Sequence, residues 1–109
     1  ALIIGEPDGI VKIVAQRDKV ADAEAAKEKH DSERGEIFED QQRLRENMKS
    51  LKGSTEEKEL LRRYTTRLNE QETRLEALTK ILAEDDAAIE KEQAELDKLV
   101  KSFSIDTTL

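Results

Sequence analysis

Cysteine is absent from the 109 residues, which excludes disulfides, thiolate zinc sites and cysteine nucleophiles. Proline occurs once, tryptophan not at all, and the aromatic residues are Phe38, Tyr64 and Phe103 alone. Three rings cannot anchor a thick core. Long apolar runs are missing as well: none exceeds four residues, against the roughly 20 that a membrane-spanning helix needs. What is present is charge. Asp, Glu, Lys and Arg make up 41% of the chain and hydrophobic residues 36%, with a net charge of −7. A composition rich in Ala, Glu, Lys, Leu and Arg belongs to long helices and coiled coils rather than to an ordinary globule.

The two ends read differently from the middle. Residues 1–14 hold Leu2-Ile3-Ile4 and Ile10-Val11-Lys12-Ile13-Val14 on either side of Gly5-Glu6-Pro7-Asp8-Gly9, a pattern that predicts a short β-hairpin or strand segment. Residues 103–109 switch to an alternation of period two, which predicts a C-terminal strand or tail.

Between them, residues 15–102 predict a helical hairpin. In its first half, Ile37, Leu44, Met48 and Leu51 keep a three-and-four spacing that Gln41 completes. Backwards, the same stripe passes through Arg34, His30, Lys27, Ala23 and Val20; Gly35, with Asp31 and Ser32 before it, makes 31–35 the place for a kink or interruption in what still reads as one helix. The turn falls near 52–55. Gly53 suits a left-handed helix terminus, and Ser54 with Glu57 fits a capping box for the next helix. A connection so short makes the two helices antiparallel neighbours. From there a heptad runs through Leu61, Leu68, Leu75, Leu82, Ile89, Leu96 and Phe103, accompanied by Tyr64, Gln71, Leu78, Asp85, Glu92 and Leu99. The fold class is therefore mainly α, an antiparallel two-helix coiled-coil hairpin with short β-segments at both ends.

Folding the chain at Gly53 sets Met48 near Leu61, Leu44 near Tyr64 and Gln41 near Leu68. It also sets Arg34, His30 and Lys27 against Leu75, Leu78 and Leu82, with Asp85 near Lys27. The tip half of the seam is thus expected to close on itself, and the base half to require a further apolar surface. The expected interaction seam is Leu44, Met48, Leu61, Tyr64, Leu68, Leu75, Leu78, Leu82, Ile89 and Leu96. Charge divides along the chain too. A basic tip of Arg43, Arg45, Lys49, Lys52, Lys58, Arg62, Arg63 and Arg67 stands against four Glu, whereas Glu84 to Asp97 carries seven acids against Lys91. The acidic stretch breaks any continuous basic track, so nucleic acid is not an expected partner.

Residues able to carry chemistry are scarce. His30 is the only histidine, and its sequence neighbours Glu28, Asp31 and Glu33 are ordinary solvated helix positions. Glu84, Asp85 and Asp86 are consecutive on a helix and point in different directions, so they do not converge on one cation. Lys52-Gly53-Ser54-Thr55 has the wrong order for a phosphate loop, and Gly5-Glu6-Pro7-Asp8-Gly9 lacks the third glycine of a dinucleotide fingerprint. No catalytic, metal or cofactor-binding residue is expected, and the chain does not read as an enzyme.

Three segments go beyond generic helix: Ile37-Phe38-Glu39-Asp40-Gln41-Gln42-Arg43-Leu44-Arg45-Glu46-Asn47, Leu51-Lys52-Gly53-Ser54, and Arg63-Tyr64-Thr65-Thr66-Arg67-Leu68-Asn69-Glu70-Gln71-Glu72. Over roughly residues 37–78 the chain resembles the C-terminal helical segment of a family of uncharacterised bacterial proteins related to the mucoidy-inhibitor type. The resemblance implies a piece of a larger protein of the bacterial cell envelope or periplasm. It carries no catalytic motif. The expected role is a structural or protein-interaction arm, with the parent protein's β-domain or a second copy as partner, and a homo-oligomer as the expected state. The alternatives are an oligomerisation module acting through an exposed leucine seam, or an envelope-surface binder using the basic tip.

Overall fold

The computed structural model describes residues 5–108, and the side chains of residues 8–104. It contains two helices, α1 over Gly5–Lys49 and α2 over Thr55–Thr108. They form a helical hairpin. The chain divides into two compact units, the first built from Ala1–Glu28 with Ala83–Leu109 and the second from Lys29–Leu82.

Unit 2 contains the turn. Gly53 adopts φ +94°, a left-handed conformation that costs glycine little and other residues more. The Ser54 hydroxyl accepts from the Glu57 amide at 3.1 Å, and the Ser54 amide donates to the Glu57 carboxylate at 3.1 Å. That reciprocal pair is the capping box. The same carboxylate accepts from the Lys52 amide at 2.8 Å, so one side chain satisfies donors on both sides of Gly53. Its position at the positive end of α2 is also favourable for an anion.

No strand occurs among the described residues, and this corrects the expectation for both ends. Residues 5–14 are helical, and so are 103–108, while Leu2 to Ile4 and Leu109 lie outside the described residues. Pro7 stands in the first turn of α1, where a backbone N–H has no intrahelical partner to lose. Gly9 is not a turn residue. A Cβ placed on it would meet the Phe103 ring at 3.1 Å, so its small size lets that ring lie close to the helix. The β-branched residues Ile10, Val11, Ile13 and Val14 cost only tenths of a kcal/mol each in a helix, which packing readily overrides. At the other end, Phe103 continues the heptad of Leu96 and Leu99, and that period outlasts the local alternation.

Helix α1 runs through Gly35 as the single helix expected there, without an interruption at 31–35. Nothing lies within 4 Å of a Cβ built there. Gly35→Ala is therefore expected to stabilise the chain by about 1 kcal/mol, the ordinary helix-interior difference between the two residues. Urea denaturation checks this: an unchanged or lower midpoint would mean that Gly35 serves a strained or mobile segment.

Candidate interaction surface

In unit 2 the burial follows the predicted stripe. Leu44 and Leu78 are 1% and 0% exposed, and Gln41 and Leu82 are also buried. Ile37, Met48, Tyr64, Leu68, Gln71 and Leu75 are half-buried. Leu61 is 39% exposed, while its neighbours Leu60 and Glu57 near the start of α2 are more covered. His30 and Arg34 occupy the same stripe and are half-buried. Leu78 and Leu82 are buried, which corrects the expectation that leucines set against the cationic stripe would require a further apolar surface.

A polar layer crosses the seam between the two leucines. Gln41 donates to the Glu72 carboxylate at 2.8 Å, and Gln71 donates to Asp40 at 2.5 Å. Asp40 also receives Arg43 from its own helix at 2.6 Å and Arg67 from α2 at 2.9 Å. The hydrogen bond from Arg43, followed by those of Gln71 and the charge of Arg67, holds its carboxyl below the usual aspartate range. Two turns away Arg74 grips Glu33 with two bonds, at 2.5 and 2.8 Å. Each perturbs the other: Glu33 is lowered chiefly by the hydrogen bond from Arg74, and Arg74 is raised by that to Glu33. Glu57 is lowered by the amides of Lys52 and Ser54.

The predicted basic tip also lies in unit 2, and much of it is already engaged. Arg43 and Arg67 share Asp40, Lys49 pairs with Glu46 at 3.0 Å, and Arg62 with Arg63 shares Glu59. Among the described residues, Arg45, Lys52 and Lys58 have no side-chain partner.

Unit 1 has its own seam. Val20 and Gln16 are buried, and Ile13, Ala23, Ile89, Leu96, Leu99 and Phe103 are half-buried. Gln16 donates to the main-chain carbonyl of Glu92 at 2.8 Å. Lys27 pairs with Asp86 at 2.6 Å. Outside this seam lie large apolar side chains. Ile10, Val11, Val14 and Val100 are 43–63% exposed. Ile10, Val11 and Val14 fall within one turn of α1, on one side of it.

Sequence reasoning missed Gln16, Gly9 and Asp40. The first two were discoverable: counting back from Val20 by four, three and four gives Gln16, Ile13 and Gly9. Asp40 offered only its three-residue spacing to Arg43, which is common on charged helices. Among the described residues no group of three His, Cys, Asp or Glu is placed to hold a metal ion, and no helix is long and apolar enough to cross a membrane.

The arrangement is that of a helical hairpin built from two long helices. Compared with protein families, curated proteins and solved structures, the chain has no significant match.

Proposed function

We propose that the chain is a structural and protein-interaction arm that folds on its own and offers its outer faces to a partner. The observation that carries this reading is the closure of the seam: Leu44 and Leu78 are fully buried within a single chain, with no second chain needed to cover them. The parent-protein setting implied by the family resemblance belongs to the same proposal and adds no residue role.

An arm must hold its helices without help. Far-UV circular dichroism at about 1 M salt, which screens charge contacts to about 3 Å, is expected to show high helix content and cooperative melting. The midpoint should not depend on protein concentration. A midpoint that rises with concentration, or loss of helix on dilution, would instead describe an obligate oligomer. That second reading, a homo-oligomerisation module, draws its support from the exposed Ile10, Val11, Val14 and Val100 of unit 1.

A further inference from the structure

Unit 1 buries one face of α1 and leaves another bare. Gln16 and Val20 are buried, whereas Ile10 and Val14 are each 50% exposed, and Ala21 and Ala25 are exposed as well. Ile10, Val14, Ala21 and Ala25 follow one another at helical spacings, so they lie along one side of α1, away from its seam. The gap between Val14 and Ala21 is filled at its middle by Arg17 and Asp18, both exposed and without a side-chain partner among the described residues. Large apolar residues thus stand at one end of the stripe, small ones at the other, and two opposite charges between them. Such an order is its own complement when reversed. An antiparallel copy, turned about an axis between positions 17 and 18, sets Ile10 against Ala25, Val14 against Ala21 and Arg17 against Asp18, each contact made twice.

We propose that this outer face of α1 docks, antiparallel and about a two-fold axis, on the same face of a second copy, with Arg17 of each copy paired to Asp18 of the other. The proposal rests on the reading of the chain as a self-folding arm that offers its outer faces to a partner. The order of sizes lets the two helices approach, because an alanine methyl leaves room for the valine or isoleucine opposite it. The order of charges fixes direction. In a parallel pairing Arg17 would meet Arg17 and Asp18 would meet Asp18, and like charges in contact oppose association. Each chain carries a net charge of −7, but the stretch from Asp8 to Glu28 holds four Lys and Arg against five Asp and Glu, so the two docking stretches barely repel. A lipid surface fits the stripe less well, since it would take Asp18 out of water with no partner. From Ile10 to Ala25 the stripe is only about 22 Å long, so the contact is far smaller than that of an obligate dimer and a Kd of about 0.1–1 mM is expected.

The test is sedimentation equilibrium of the full chain from about 10 μM to about 1 mM, over which the average mass should climb from 12.4 kDa towards twice that value. Arg17→Asp and Asp18→Arg should each weaken association by about tenfold, because each turns both axial pairs into like charges. An equimolar mixture of the two variants should associate again, since the acids of one then meet the arginines of the other. The double variant R17D/D18R should recover as well, its pairs being merely reversed. Crosslinking checks register, and the chain has no cysteine of its own to interfere. Val14→Cys mixed with Ala21→Cys should oxidise in air to a covalent dimer in far higher yield than either variant alone, whose two thiols stand about 10 Å apart along the axis. All four substituted positions are exposed, and circular dichroism of each variant checks that the helices persist. A mass that stays at 12.4 kDa throughout overturns the proposal. So does association that ignores the single charge changes, that neither the mixture nor the double variant restores, or that crosslinks no better from the mixture. Binding to phosphatidylcholine–phosphatidylglycerol vesicles without self-association would overturn it in favour of a lipid surface. Failure of the arm itself shows differently, as loss of helix in the dilute monomer, where no docking occurs.

Discussion

Leu78→Ala is expected to lower stability by about 2–5 kcal/mol, the usual range for deleting a buried leucine side chain. Leu78 is 0% exposed, so every methyl removed leaves either a void or a collapse that other side chains must absorb. A chain of this size is stable by only about 5–15 kcal/mol, so the variant should lose a large share of the total. Leu61→Ala supplies the contrast. Leu61 also belongs to the leucine heptad, but it is 39% exposed and should cost well under half as much. Urea denaturation of both variants measures the ratio. Equal losses would mean that Leu61 packs more deeply than its exposure indicates. No loss at Leu78 would mean that the seam does not hold unit 2 together.

The seam was legible for a physical reason. Leu44, Leu68, Leu75, Leu78 and Leu82 repeat at a helix period, and only a face turned toward a neighbour sustains such a repeat. Gly53, Ser54 and Glu57 were legible because a capped turn needs those residue types at those spacings. The ends were misread because β-branched residues and the Gly-Pro cluster favour turns and strands locally, whereas seam packing is decided at a distance. Phe103 against Gly9 is such a contact, 94 positions apart in sequence and invisible to any local window. The exposure of Leu61 was hidden too. The heptad treats the start of α2 like the rest of it, but Glu57 is tied back to Lys52 and Ser54, and Leu60 is the more covered leucine. Cross-helix polar partners were the least legible. Many carboxylates flank the seam, and spacing does not single out Asp40 as the one that meets Gln71 and Arg67 together.

Asp40→Ala is expected to destabilise unit 2 by about 2 kcal/mol, and most of that loss should come from Gln71 rather than from the lost charge. Gln71 already has a buried side-chain oxygen without a hydrogen-bond partner, and its amide depends on Asp40. Removing the acceptor leaves both ends of a part-buried amide unsatisfied, and a buried orphaned polar group costs about 1–3 kcal/mol. The contacts with Arg43 and Arg67 add little, because both arginines are more than half exposed. The double variant Asp40→Ala/Gln71→Leu should therefore be more stable than Asp40→Ala alone, since the orphaned group disappears with its partner. Strict additivity of the two losses in urea denaturation would defeat this account. Acid gives a second readout. The Asp40 carboxyl is held below its ordinary value of 3.8, chiefly by the hydrogen bond from Arg43, so it binds a proton more readily in the unfolded chain. Its contribution is then fully present above that ordinary value and is lost as pH falls through the lowered one. The stability gap between the wild type and Asp40→Ala should accordingly narrow on acidification through that range, while the gap for Leu78→Ala, which involves no titrating group, should not narrow with it.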